Sequence, residues 1–476
     1  MRLHQGITTP VGCVLVALAL VGLASPASGG TLGAELSARV ATAAPNELLR
    51  VIVTLRRQAV RELPPAEPSR PEPPRAELRR LVTEYLVDVH TRTQRPLAAL
   101  VEAARAAGRA RDVRQYWLVN AMSLEATADV IEALAADPAV DEVSLSILQS
   151  IVEIVEDGTE DDPDPPAVNG IRRIRAPQVW SLGNTGVGAV IGVIDSGARV
   201  NHPDLAGRWR GGSNSWMDFV DPDETTPVDP FGHGTHVTGT ILGGNEVGSN
   251  YIGVAHGAKY IACRWLDRDG FGDQAWALGC MDWMANPDED PATDDLPDAV
   301  NMSWRWPAYQ ATCNQYFRAA VQGWVQLGIF PIAAAGNEGV PEIPAAYPEV
   351  RAVGAVDRQN EVTDFSGRGP SPCDATIYPE LAAPGTKVRS AWPGGVRKNL
   401  RGTSMAAPHV AGTVALLRSH RPNLTVGAIF RILKATAVDL GPAGSDNAYG
   451  FGMVDAYRAF LCLDHGTYSG CGAQCP

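Results

Sequence analysis

The sequence predicts an α/β protein: a mostly parallel sheet with helices on both faces, preceded by a small α+β domain. Two observations carry this. Beyond about residue 169, short apolar runs alternate with helical stretches, the pattern of strands buried on both faces and joined by crossover helices. Ahead of that lies a smaller group of strands and helices, ended by an acidic, proline-rich segment. With 476 residues the chain has room for two or three domains, and 45% hydrophobic content supplies a large core.

The elements follow in order. Residues 1–28 begin with Arg2 and His4, run through the apolar stretch 11–23 and close on Ala24, Ser25, Pro26, Ala27 and Ser28. That charged, apolar, small-residue order is a secretory signal. The apolar run has 13 residues, against about 20 needed to span a bilayer. A membrane anchor is the alternative, and Pro26 with its small neighbours argues against it. Cys13 comes too early to be a lipidated cysteine.

Residues 46–155 form the small domain. Leu48 to Leu55 reads as a strand rich in β-branched residues. Residues 61–75 are a solvated loop, and 76–108 carry leucine and alanine at helical spacing. Gln115 to Asn120 is a strand. Residues 127–136 are a helix, with Thr127 as N-cap and Pro138 beyond its end. Val140 to Val143 leads into a last strand. The segment 156–168 has no apolar face before its last residues and reads as an exposed acidic linker.

Residues 169–460 form the large domain. Strand runs lie at 189–194, 259–264, 299–303, 330–334 and 351–356, with helices at 274–285 and 315–327. No internal repeat is present. Residues 461–476 form a tail holding Cys462, Cys471 and Cys475. Without Cys13, seven of the eight cysteines remain; an exported chain can pair them, and the odd count leaves one without an intrachain partner. Zinc in the tail is the weaker alternative, because the spacing fits no common zinc pattern. A net charge of −13 argues against a nucleic-acid partner.

Four marked runs carry chemistry. Asp195 follows the strand 189–194 in Val-Ile-Asp-Ser-Gly, at the end of a parallel strand where such folds place functional groups. His233 and His236 lie in His-Gly-Thr-His. Ser404 stands in Gly-Thr-Ser-Met-Ala-Ala-Pro-His at the start of an apolar helix. Asn337 lies in Ala-Ala-Ala-Gly-Asn-Glu-Gly. Each alone has a plain reading: a turn-capping Asp, a histidine pair on one helix face, an N-cap serine, a loop asparagine. Together they supply a carboxylate to orient an imidazole, a base, a nucleophile and an oxyanion donor.

These runs, in the order Asp, His, Ser, resemble the subtilisin-like serine proteases, or subtilases, over about 170–460. The resemblance implies a secreted endopeptidase acting on protein or peptide substrates. Asp195, His233 and Ser404 would be its triad and Asn337 its oxyanion donor. His236 would then be structural. Residues 46–155 resemble the inhibitory propeptide of many subtilases, which would make this domain the enzyme's own first partner; an unrelated α/β domain is the alternative. Gly270, Phe271 and Gly272, with Ser303, Trp304 and Arg305, align with the segments that sandwich an extended peptide. Ala333, Ala334, Ala335 and Gly336 would form part of the primary side-chain pocket.

The chain departs from the family at Trp304-Arg305-Trp306, where Leu-Gly-Gly is usual. Bulky groups at the pocket entrance are the expectation, with Arg305 favouring an acidic substrate residue. No cofactor is needed for the chemistry. Structural calcium is the one metal implied, with Asp204 at a position that often binds it in the family. Two other readings remain at this level: a catalytically silent binding module on the same fold, and a zinc hydrolase using His233 and His236.

Overall fold

The computed structural model describes residues 29–63, 74–152, 154–158, 167–244, 251–307 and 310–465. The signal, most of the linker, most of the tail and most of the 61–75 loop fall outside them.

Seven parallel strands form the central sheet, in the order Leu381–Pro384, Arg351–Val356, Phe330–Ala334, Ala299–Met302, Val190–Asp195, Lys259–Arg264 and Trp216–Asp218. Alternate side chains leave opposite faces, as the two-residue strand period requires. Ile191 and Val193 join the core under the helices His233–Leu242 and Thr403–His420. Ile194 joins the core under Gln274–Met284 and Arg318–Gln326. Helices on both faces are therefore borne out. All five strand runs read in the sequence belong to this sheet. The edge strands Trp216–Asp218 and Leu381–Pro384 were not anticipated, because neither is flanked by a clear helical period. Asp195 is the last residue of its strand rather than the first beyond it.

The N-terminal unit is a five-stranded sheet in the order Thr31–Leu32, Val140–Leu145, Leu49–Leu55, Ala121–Ala126 and Ala110–Tyr116. Helices Arg75–Ala106 and Ala128–Ala135 cover it, and Leu97, Val101, Ile131 and Leu134 meet Val51, Val53 and Leu124 in its core. One expectation needs correction here. The strand expected at 115–120 is a hairpin: Ala110–Tyr116 turns at 117–120, and Ala121–Ala126 returns antiparallel to it. The charged Arg111, Asp112 and Arg114 hid the first strand from an apolar reading. Thr127 does hold the N-cap position, but its hydroxyl bonds to Asp129 Oδ1 at 2.5 Å and not to a backbone amide.

The N-terminal unit docks on the helix Gln274–Met284 and on loops of the large unit. Tyr116 Oη donates to Ala275 O at 2.9 Å, and the Leu118 amide to Asp282 Oδ1 at 2.7 Å. Arg79, 3% exposed, donates to Leu327 O and Pro297 O and pairs with Asp294. Arg75 pairs with Asp298 at 2.6 Å. Disulfides Cys263–Cys280 and Cys313–Cys373 cross-link the large unit, and Cys462 is disulfide-bonded too.

Candidate active site

The site stands at the carboxyl ends of the central strands. Asp195, fully buried, accepts the Nδ1–H of His233 with both oxygens, at 2.8 and 3.0 Å. The Ser196 amide donates to Oδ1 at 2.7 Å, which keeps the carboxylate in one orientation. His233 is the first residue of its helix, brought against the strand end by Gly234. A Cβ on Gly234 would meet Gly197 O at 2.1 Å and Asp195 Cβ at 3.1 Å. No side chain fits there, so glycine lets the helix start touch the carboxylate loop.

A second buried carboxylate, Asp229, sets the position of this helix. It accepts from the Gly232 amide at 2.6 Å, the Thr235 amide at 2.7 Å, the Thr235 hydroxyl at 2.6 Å and the Ser196 hydroxyl at 2.9 Å. Capping amide groups at a helix start with a carboxylate satisfies donors that have no partner within the helix. Burial nonetheless pushes the Asp229 carboxyl above its ordinary range, with nearby Asp195 adding to the effect. Sequence reading missed Asp229, since an Asp beside Pro230 has the local look of a turn residue.

Ser404 lies in the first turn of Thr403–His420, a helix that packs against His233–Leu242. Its Oγ donates to Ser303 O at 3.0 Å, and Ser303 Oγ donates back to Ser404 O at 2.8 Å. His233 Nε2 is buried without a hydrogen-bond partner. Passing the Ser404 proton to that nitrogen thus requires the hydroxyl to rotate away from Ser303. Such bonds are often unmade before substrate is in place.

Asn337 Oδ1 accepts from the Thr403 amide at 2.9 Å and the Thr403 hydroxyl at 2.8 Å. An amide N–H can only donate, so Oδ1 is fixed on this side and Nδ2 becomes the outward donor. Thr403 is the second residue that sequence reading passed over; it was seen only as the neighbour of Ser404.

One narrow cleft gathers Trp304, Arg305, Ala334, Gly336, Asn337, Thr403 and Ser404, together with Ile151 and Val152 of the N-terminal segment. Ala333 and Ala335 belong to the core beneath it. Phe271 and Gly272 lie on the strand Phe271–Asp273, which pairs antiparallel with Leu148–Ser150. The Ile151 amide donates to Gly270 O at 3.0 Å.

Three expectations are corrected. Trp304 and Trp306 do not obstruct the pocket entrance with their rings. They are 1% and 0% exposed and pack with Trp265 and Phe317, at ring separations between 4.8 and 6.4 Å. Arg305 is not an open positive charge, because it pairs with Glu342 at 3.0 Å and Glu338 at 3.1 Å. Asp204 gives both oxygens to Arg397, at 2.5 and 2.8 Å, so a guanidinium holds the place expected for calcium. The histidine pair is not a metal pair either. His236 Nε2 bonds to the carbonyls of Val388 and Lys398 at 3.0 and 3.1 Å, and burial takes its pKa down to about 3. No cluster of three metal-ligating side chains occurs among the described residues.

An imidazole oriented by a buried carboxylate, with a serine and an outward amide donor sharing one cleft, is the equipment of a serine hydrolase on an α/β scaffold. Residues 186–452 match the subtilase family, and the chain belongs to that family of subtilisin-like serine endopeptidases. It is 35% identical over 354 residues to subtilisin E of Bacillus subtilis (strain 168), covering 73% of this chain and 82% of that one. Subtilisin of Bacillus pumilus is 38% identical over 298 residues, or 61% of this chain and 97% of the relative. Bacillopeptidase F of Bacillus subtilis (strain 168) is 34% identical over 400 residues, or 75% of this chain, which spans only 27% of that longer protein.

Proposed function

We propose that this chain is a secreted endopeptidase that cuts protein or peptide substrates through an acyl-enzyme, and that it is made as a zymogen processed by its own active site. The observation that carries the reading is the Asp195–His233 pair, whose unpartnered Nε2 is the nitrogen left to take a proton.

Asp195 accepts Nδ1–H and so sets the tautomer in which Nε2 is basic. Ser404 turns its hydroxyl from Ser303 O to Nε2, loses the proton and attacks the peptide carbonyl. Negative charge forms on the carbonyl oxygen. Asn337 Nδ2 and the Ser404 amide, free at a helix start, hold it. His233 gives the proton to the leaving amine, and water repeats the sequence to release the acid.

Processing is supported by the N-terminal segment. Leu148–Ser150 pairs antiparallel with Phe271–Asp273, and Val155–Glu156 pairs antiparallel with Leu400 and Arg401, just ahead of Ser404 in the chain. Ile151 and Val152 share the cleft with Ser404, which supports a cut just beyond Val152. In this reading the unit before it occupies the cleft as inhibitor, and the signal at 1–28 directs export. The silent-module alternative has lost its one support, the obstructing tryptophan rings.

The test is a fluorophosphonate probe on the expressed chain and on Ser404→Ala, with N-terminal sequencing of both by mass spectrometry. The expected result is labelling of the wild type only, with its new N-terminus at 153–155. A folded wild type that neither labels nor processes would overturn the reading.

A further inference from the structure

We infer that the primary side-chain pocket selects a basic residue, Lys or Arg, immediately before the cut bond, and that Glu342 is the residue that selects it. This rests on the endopeptidase reading above.

Glu342 is 0% exposed. Its Oε1 accepts from Arg305 at 3.0 Å, while Oε2 is buried without a hydrogen-bond partner. That second oxygen lies against Gly336, one of the cleft residues: a Cβ there would come within 2.2 Å of it. Gly336 has φ +100°, so a side chain at this position is excluded by backbone as well as by space. Arg305, which also borders the cleft, carries Glu342 on one side and Glu338 on the other. Two carboxylates therefore share one guanidinium, and the local balance is one negative charge.

An unpaired buried carboxylate oxygen is costly, and a donor that reaches it recovers much of that cost. Burial pushes the Glu342 carboxyl above its ordinary range, while Arg305 and a hydrogen bond from Gln310 pull it back. A substrate ammonium or guanidinium brings the missing donor and the missing charge together. An acidic substrate residue meets two carboxylates and a guanidinium already engaged. An aliphatic one fills space and leaves Oε2 as it was. The chain's own Ile151 and Val152 at the cleft bring no donor. They need none for a first intramolecular cut, where tethering supplies the effective concentration.

The experiment uses the processed enzyme, titrated with the fluorophosphonate probe. Peptides identical except for Arg, Lys, Leu, Val or Glu directly before the cut are compared by kcat/KM. Arg and Lys are expected to exceed Leu, Val and Glu by roughly tenfold or more, the effect of one charge-assisted hydrogen bond. Glu342→Gln is expected to bring the Arg-to-Leu ratio down toward one. Arg305→Gln, which frees both carboxylates, is expected to raise it. A wild type that prefers Leu, Val or Glu overturns the inference, as does an unchanged ratio in variants that still take the probe. Loss of labelling together with loss of all cleavage would instead count against the endopeptidase reading.

Discussion

Thr403 donates twice to Asn337 Oδ1, from its amide at 2.9 Å and its hydroxyl at 2.8 Å. One residue thus ties Asn337, the proposed oxyanion donor, to the turn that carries Ser404. Thr403→Val removes the hydroxyl and keeps the shape, and it is expected to lower kcat by about tenfold with KM little changed, since the loss falls on a charge present only in the transition state. Asn337→Ala is expected to lower kcat by about 10²–10³, the size already measured for the oxyanion-hole asparagine of a subtilisin. Steady-state kinetics on both variants checks the ordering. Asp195, His233, Ser404 and Asn337 were legible in the sequence because each stands in a glycine-marked run. Asp229, Thr403 and Glu342 were not. Their roles arise from contacts between segments distant in the chain, such as Glu342 with Arg305, and short-range spacing carries no trace of these.

At the scale of elements, the helix Gln274–Met284 is where the two units meet. The amide of its second residue, Ala275, is capped by Asp273, which also accepts from the Ser146 hydroxyl of the N-terminal unit at 2.6 Å. Further along, Asp282 accepts the Leu118 amide, and burial pushes its carboxyl up to about 8 from 3.8. Once the N-terminal unit leaves, that burial ends and the ordinary value returns. The docked state therefore holds its proton more tightly than the undocked one. The contribution of Asp282 to docking is therefore full below pH 3.8 and is lost as pH rises through about 8. After processing, release of the N-terminal unit is expected to increase from pH 5 to 8, and Asp282→Asn is expected to flatten that rise; size-exclusion chromatography across the range checks both. The sequence showed a helical stretch at 274–285 between two strand runs. It could not show that one face serves as a socket, because nothing local distinguishes a helix buried by a neighbouring unit from one buried by its own core.

Over the whole molecule, the buried strands and their crossover helices were legible, whereas the edge strands were not: Trp216–Asp218 is three residues long and pairs on one side only. The disulfides needed coordinates, because spacing does not decide pairing. Cys313–Cys373 closes a separation of 60 residues. Chain entropy assigns such a loop about 4 kcal/mol, so Cys313→Ser with Cys373→Ser is expected to lower the unfolding midpoint by roughly 6 °C, read by calorimetry. The strand pairings upstream and downstream of the proposed cut carry one more consequence. Cutting between them makes two ends with unequal holds. The downstream end is held by Val155 and Glu156 against Leu400 and Arg401, by the Glu156–Lys398 ion pair, and by Asp157, which bonds to Asn399 O and to the Lys387 amide. The upstream end is fastened to a whole folded body through Arg75, Arg79, Tyr116 and Leu118. If the proposed cut is made, the two halves of the groove empty independently, one by the lifting of a short strand and the other only by the undocking of a whole folded unit.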